Sequence, residues 1–464
     1  MGVLSFEYLI FLLAVFCIYW LSPEKNKKYI LIIASFLFCL SYWKTEAFFV
    51  LLYIFAIYIF GKNTNIAKVY FFSIILALIP LIIYKYFPFF ILKHINGSCF
   101  VGISFVSFRA ISYLADIYKT KRSISLVDYL LYMLFFPAYI SGPIEGANLF
   151  LNSVDEQKTI RWDSFVEAII IIAYGFAIKL VLADRLIGII NIVYENYEIY
   201  TKYCLLAILA YPIYIYCDFA GYSYIAYGVG RLFGYNLTLN FRQPYMSKSI
   251  KEFWSRWHIS LNNWFKNYLY IPLGGNRKGK LRKYLNILFI FCISGIWHGT
   301  GIGFIIWGLL NGVYQIVGDL TIKLREKVYS LLKMEKSKIK DLIKISCCYC
   351  LIAITWIFFS QGINGFSVIV SLFDYRRIGI MEFMLDVCGR AGSSKIEVGI
   401  ITIMVLCVAI IDYIENKGIV LSYKISKQNI VIRYISLLFL IALILTFGKY
   451  GSGFDANNFI YFGF

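Results

Sequence analysis

Thirty-four consecutive residues, 285–318 (LNILFIFCISGIWHGTGIGFIIWGLLNGVYQIVG), contain no Asp, Glu, Lys or Arg. A bilayer core is crossed by about 20 apolar residues, so this run is too long for one crossing and short for two. Gly295, Gly299, Gly301 and Gly303 crowd its centre, around His298. Glycine permits a break in a helix or a close backbone approach. Irregular backbone at membrane depth survives only when buried in protein or lining a cavity. The run therefore predicts a broken helix, with His298 deep in the protein beside a polar cavity.

Further apolar runs at 3–22, 29–43, 47–61, 69–92, 165–182, 203–217, 342–360, 397–414 and 430–448 read as membrane spans. The stretch 100–140 is apolar but carries Arg109, Asp116 and Lys119–Arg122, which predicts one or two shorter or re-entrant elements. The expected fold class is all-α: a polytopic membrane helix bundle of about eleven spans, plus re-entrant and amphipathic interfacial helices. One membrane domain covers 1–464, because the apolar runs are too long for globular helices. The first run, Val3–Leu21, has no basic segment before it and reads as a retained span with its N-terminus outside. No internal repeat is visible, which disfavours transporters built from duplicated halves.

The net charge of +19 raises the question of nucleic acid. Here, however, the basic residues sit in short clusters between apolar spans, at Lys25–Lys28, Lys119–Arg122 and Lys323–Lys340. That is the pattern of cytoplasmic loops under the positive-inside rule, so no nucleic-acid partner is expected. Of the 11 cysteines, Cys17, Cys39, Cys292 and Cys407 lie inside apolar runs, where Cys behaves as a small hydrophobe. Cys347-Cys348-Tyr349-Cys350 has no ligand-spaced His or second Cys pair beside it, and no metal site is expected.

The segment 253–270, FWSRWHISLNNWFKNYLY, has helical periodicity. Trp254, His258, Leu261, Phe265 and Tyr268 fall on one face, and Arg256, Ser260, Asn263 and Asn267 on another. The reading is one amphipathic helix at an interface or lining a polar cavity, stopped by the turn-rich Ile271–Arg277.

Ionisable groups inside membrane segments are expensive and are functional candidates by default. His298 is the sharpest. It is either a core histidine satisfied by a backbone carbonyl or a general base, since neutral imidazole can take a hydroxyl's proton near physiological pH. No Ser nucleophile elbow or Cys-based triad accompanies it. His258 is the second candidate, against the reading that it simply packs on an aromatic face. His94 reads as interfacial. Asp218 and Arg231 either pair or bind a polar ligand. Gly274–Arg277 offers backbone donors and a cation to phosphates but matches no P-loop.

These residues carry a family resemblance. YCDFAGYSYIAYG (216–228), FWSRWHISL (253–261), NYLYIPLGGNR (267–277) and SGIWHGT (294–300) resemble, in this order, the membrane-bound O-acyltransferase (MBOAT) superfamily. ISFVSFRAISYLADIYK (103–119), the segment around FFPAYISGPIE and the closing NNFIYFGF (457–464) are similar to its alginate O-acetyltransferase branch. A teichoic-acid D-alanylating branch shares the FWxRWHxSL and WHG patterns. The chain departs from the usual pattern at Arg109, Tyr224, Thr238-Leu239 and Lys266-Asn267.

The resemblance implies the MBOAT fold, with a funnel reaching the active site and a catalytic core over about 100–315. It implies His298 and His258 as catalytic residues, His298 as base and His258 in thioester orientation or oxyanion support. Trp257 and Trp297 would shape the passage, with Asn262, Arg256, Asp218 and Arg277 as substrate-binding candidates. No cofactor would be bound. The acyl donor would be acetyl-CoA or an acyl-carrier thioester, and the acceptor a hydroxyl of an extracytoplasmic polysaccharide or of a partner protein that completes the transfer. A secreted or membrane-anchored SGNH-type, AlgJ-like acetyltransferase partner would complete the transfer from the bacterial plasma membrane. D-alanyl transfer to teichoic acids from a carrier protein is the enzymatic alternative, and a non-enzymatic polymer or solute export channel the alternative of another class.

Overall fold

A computed structural model of the protein describes residues 1–43, 47–64, 66–86, 102–140, 142–154, 156–159, 161–334, 337–374, 379–390 and 395–451. His94 and the closing 457–464 lie outside the described residues. Among those described, the secondary structure is helical, with no strand.

The chain opens with α1 (Phe6–Leu21), α2 (Glu24–Trp43), α3 (Ala47–Lys62) and α4 (Ala67–Leu81), which a π turn extends over Ile82–Tyr86. Then come α5 (Ile103–Thr120), α6 (Leu126–Leu134) and α7 (Ala147–Val154). Next, α8 (Trp162–Ala177) runs through a π turn into α9 (Asp184–Glu195), and α10 spans Cys204–Leu232. The site elements follow: α11 (Ile250–Arg256), α12 (Ile259–Phe265), α13 (Gly279–His298) and α14 (Ile302–Leu320). After the short α15 (Ile322–Leu331) come α16 (Lys338–Gln361), α17 (Gly365–Ser371), α18 (Ile380–Arg390), α19 (Lys395–Asn416), α20 (Leu421–Ser426) and α21 (Ile430–Phe447).

Seven helical stretches among the described residues are long and apolar enough to cross a membrane. The shorter apolar helices α1 and α3, with α2 and α13, whose first turns are basic, add four more helices of 16–20 residues. Exposed large apolar side chains such as Phe71, Ile75, Ile403 and Phe439 coat the outer helices. In water such a surface would aggregate; in lipid it is the expected exterior. The molecule is a multi-pass membrane protein.

Within the stretch 100–140, Ile103–Thr120 and Leu126–Leu134 form the largely buried α5 and α6. Arg109 of α5 is buried and donates to the carbonyls of Tyr132, Met133 and Ala138, at 3.4, 3.3 and 2.6 Å. A guanidinium has five donors, so here it staples the end of α6 and the turn that follows.

Polar contacts fasten the basic segments to neighbouring elements. Lys28 pairs with Asp128 at 2.9 Å, and Arg122 donates to Asn152 at 2.8 Å. Tyr268 donates to Asp116 at 2.9 Å, Lys283 pairs with Asp319, and Lys248 pairs with Asp341 at 2.7 Å.

The run 285–318 breaks where its glycines predict. Helices α13 and α14 fold back on each other at unusually short range. A Cβ added at Gly295 would lie 2.3 Å from the Phe304 carbonyl oxygen, and one at Gly308 would lie 2.3 Å from that of Phe291. Only glycine permits this approach.

The single amphipathic helix expected over 253–270 is not formed. The chain instead makes α11, a break at Trp257–His258, α12, and a π turn over Lys266–Tyr270. The cause is a competing partner. The Arg256 carbonyl accepts from the Arg242 N–H at 3.0 Å, and the Ile259 N–H donates to the Asn240 carbonyl at 2.9 Å. The Ser260 N–H donates to the Asn240 side chain at 3.2 Å. Residues 240–242 thus take the hydrogen bonds that would have continued the helix.

Candidate active site

The site is built on the two helix breaks. Helix α13 ends at His298 because Gly299 adopts extended backbone, with φ −176° and ψ 172°. A helix end leaves its last carbonyls without helical partners. Here Gly295 receives the Gly299 N–H at 3.3 Å, Ile296 receives the Tyr86 hydroxyl at 2.7 Å, and Trp297 receives the Lys85 ammonium. The His298 side chain is 3% exposed. Its ring meets Trp307 edge-on at 4.9 Å, Phe359 at 5.1 Å and Trp297 at 4.6 Å between centroids.

His258 occupies the other break, in left-handed backbone at φ 43° and ψ 56°. That conformation is uncommon outside glycine and holds here because the flanking backbone groups are occupied. Asn262 reaches back to donate to the Trp257 carbonyl at 2.6 Å and the His258 carbonyl at 3.2 Å. The turn sends Trp257 and His258 both inward. His258 is 1% exposed and meets Phe219 of α10 edge-on at 4.7 Å.

The two histidines, 40 positions apart in the chain (298 − 258), come within Coulombic reach of one another, as does Lys85 of His298. Four tryptophans bridge the breaks. Trp257 lies 5.1 Å from Trp356, Trp356 lies 5.7 Å from Trp307, and Trp307 lies 5.6 Å from Trp254. Trp297 stacks on Phe108 at 5.2 Å, and Phe108 stacks on Trp264 at 4.0 Å. An aromatic box of this kind fixes side-chain position and excludes water.

A cavity of about 530 Å³ leads toward this box along one face of α13, lined by Lys283, Ile287, Ile290, Phe291 and Ser294. Lys251, Trp254, Asn262, Lys266, Asn276 and Asp319 form its other walls. Eleven residues of helix from Lys283 to Ser294 rise about 16 Å, and Ser294 is one turn short of His298. The cavity therefore runs from the basic end of α13 to the neighbourhood of the imidazole.

The remaining residues singled out from the sequence are placed as follows. Asn262 braces the break and lines the cavity. Arg256 pairs with Glu252 at 2.6 Å and donates to Asn416 at 2.6 Å, tying α11 to the end of α19. Asp218 takes the pairing role: Lys179, 1% exposed, bridges Asp218 at 2.5 Å and Asp184 at 2.6 Å. Arg231 pairs with Glu167 at 2.8 Å. Arg277 is exposed in the turn before α13, away from the histidines.

Sequence reasoning missed Trp307, Trp356, Phe359, Lys179 and the Lys85–Tyr86 pair. Only Lys85 and Lys179 carried a usable signal, a lysine inside an apolar run.

Residues 106–360, more than half of the chain, match the membrane-bound O-acyltransferase (MBOAT) family. The chain belongs to this family. As an MBOAT protein it is a membrane O-acyltransferase, and the export-channel reading falls away. A probable alginate O-acetylase of Pseudomonas syringae pv. tomato is 32% identical over 373 residues, covering 74% of this chain and 68% of that protein. A peptidoglycan O-acetyltransferase of Helicobacter pylori is 33% identical over 242 residues, 46% of each chain. A teichoic acid D-alanyltransferase of Bacillus subtilis is 29% identical over 277 residues, covering 55% of this chain and 69% of the relative.

Proposed function

We propose that this MBOAT protein moves an acetyl group from a cytoplasmic thioester, acetyl-CoA, to a hydroxyl of an extracytoplasmic polysaccharide or of a partner protein that completes the transfer, with His298 as general base. The observation that carries the reading is the cavity along α13, which begins among Lys251, Lys266 and Lys283 and ends one turn from His298. Lysines at the mouth suit an anionic coenzyme. The inner wall of Ile287, Ile290 and Phe291 suits an uncharged thioester arm, and the volume is in the range of small-molecule sites. Helix α13, at about 1.5 Å per residue, separates His298 from the basic end by its full length of 20 residues. An acceptor entering from the opposite side meets the donor there.

The chemistry is a direct transfer. The acceptor oxygen attacks the thioester carbonyl carbon while the His298 imidazole takes the hydroxyl proton. A C–O bond forms, the tetrahedral intermediate collapses, and the C–S bond breaks. The imidazolium returns the proton to the departing sulfur, so the step is balanced without a cofactor. His258 supports charge on the carbonyl oxygen or orients the thioester. A secreted or membrane-anchored SGNH-type, AlgJ-like protein fits as the partner that carries the acetyl group to polymer. Similarity to proteins named alginate O-acetylase and peptidoglycan O-acetyltransferase supports acetyl over D-alanyl.

The test is donor labelling in membranes from expressing cells. Label from acetyl-CoA should enter the envelope polysaccharide fraction, whereas label from a D-alanyl carrier thioester should not. The reverse pattern would replace acetylation by D-alanylation, and transfer from neither would refute the donor assignment.

A further inference from the structure

We infer that Lys85 and Tyr86 form a clamp on the end of α13 that sets the position of His298, acting as positioning residues for acyl transfer. This rests on the reading of His298 as the base. The clamp is an unusual use of α4, a helix that is otherwise largely lipid-facing, with Phe71, Phe72, Ile75 and Ile79 exposed. Pro80 lies inside α4 and has no N–H for the helical ladder. Directly after it the backbone widens into a π turn over Ile82–Tyr86. Single π turns inside helices occur frequently at functional sites, because the extra residue re-aims side chains.

Two consecutive side chains of this turn reach two consecutive carbonyls of α13, some 210 positions later in the chain. Tyr86 donates to Ile296 at 2.7 Å and Lys85 donates to Trp297. The Lys85 ammonium also lies 5.4 Å from the centre of the Trp297 ring. Trp297 is the residue before His298, and its indole is one wall of the imidazole's box. A cation at a helix C-terminus also opposes the negative end of the helix dipole. An ammonium within a membrane segment is expensive and is kept where it has a task. The peptide that carries His298 is held from outside its own helix pair, by groups that need not touch substrate.

A residue that only positions the base should act on turnover, not on donor affinity. The assay is thiol release from acetyl-CoA by membranes carrying Lys85→Met, Lys85→Arg, Tyr86→Phe or His298→Ala, normalised to folded protein. Lys85→Met should lower kcat by about 10- to 100-fold, the effect of roughly an ångström of misplacement, with donor KM within about twofold of wild type. Lys85→Arg, which keeps a cationic donor, should restore most of the loss. Wild-type kcat in Lys85→Met, or a loss in Lys85→Arg as large as in Lys85→Met, would overturn the clamp. If Lys85→Met does not accumulate as folded protein, Tyr86→Phe decides. It keeps the ring and removes one donor, so a kcat loss of about threefold or more is expected, and an unchanged kcat overturns the inference. His298→Ala separates the two readings: activity surviving there refutes the base, whereas an inactive His298→Ala beside a normal Lys85→Met refutes the clamp alone. If wild-type membranes do not consume acetyl-CoA, the same series with a D-alanyl carrier thioester gives the same decision.

Discussion

Replacing His298 by alanine should separate catalysis from folding, and the two effects can be sized from the geometry. The substitution removes three aromatic ring contacts, to Trp297, Trp307 and Phe359. Such pairs contribute about 0.5–1.5 kcal/mol each, or roughly 1.5–4.5 kcal/mol together. The lost contacts are spread over a large bundle, and the protein should fold and insert. The chemical loss is larger. A positioned general base contributes roughly 100- to 10,000-fold, which is about 2.7–5.4 kcal/mol of transition-state stabilisation. The assay is acyl transfer per folded molecule, with folded protein counted by fluorescence-detected size exclusion. Specific activity should fall at least about 100-fold, with the melting temperature lowered by only a few degrees. Near-normal specific activity in a poorly folding His298→Ala protein would make His298 a packing residue and refute the mechanism.

Gly308→Val should abolish folded yield, because even a Cβ would lie 2.3 Å from the Phe291 carbonyl oxygen, whereas Gly318→Ala in the same helix, with open space at that position, should be neutral or stabilising by up to about 1 kcal/mol; yield and melting temperature read both. Asn240→Ala removes the acceptor of the Ser260 N–H at the His258 break. It should cost about 1–3 kcal/mol of stability and lower turnover, and an unchanged melting temperature would show that the break does not depend on Asn240. Lys251, Lys266 and Lys283 line the mouth of the α13 cavity. Changing all three to Gln should raise donor KM several-fold at low salt, with the difference shrinking as salt screens it, and equal KM values at both salts would remove these lysines from donor binding. Single cysteines at 26, 121 and 327, in a background lacking native cysteines, should resist labelling from outside intact cells, and labelling of any of them would refute a shared cytoplasmic face for the basic clusters.

The elements that sequence periodicity revealed are those whose causes are local. Lipid solvation demands long apolar runs, so the spans at 203–217, 397–414 and 430–448 could be read residue by residue, and they appear as α10, α19 and α21. The break at His298 was legible for the same reason, since its glycines stand in the chain beside it. The break at His258 was not. Its sequence, FWSRWHISL, keeps a helical pattern through the break, and the helix is interrupted by hydrogen bonds from residues 240–242. No window centred on 258 contains that competitor. Lys85 was half legible: a lysine in an apolar run signals a task, but the Trp297 carbonyl it meets is 212 positions away. Asp218 likewise signalled a buried charge, without saying that Lys179 would take it.

The misread places share a physical cause that bears on function. Each is a point where local preference is overruled by a partner distant in sequence, and each lies within the site or against it. The left-handed backbone at His258 and the π turn at Lys85 both depart from a regular helix. At His258 the flanking backbone groups are taken up by Asn240 and Asn262, and from the π turn the side chains of Lys85 and Tyr86 reach the α13 carbonyls. Regular helices satisfy their own backbone, so irregular backbone at membrane depth has to find its partners in protein. On the proposed mechanism a hydroxyl and a thioester meet beside two helix breaks, and each break has to be satisfied by other protein groups. Mutations at Asn240, Lys85 and Tyr86 should for that reason depress turnover although none of these residues is required to touch either substrate.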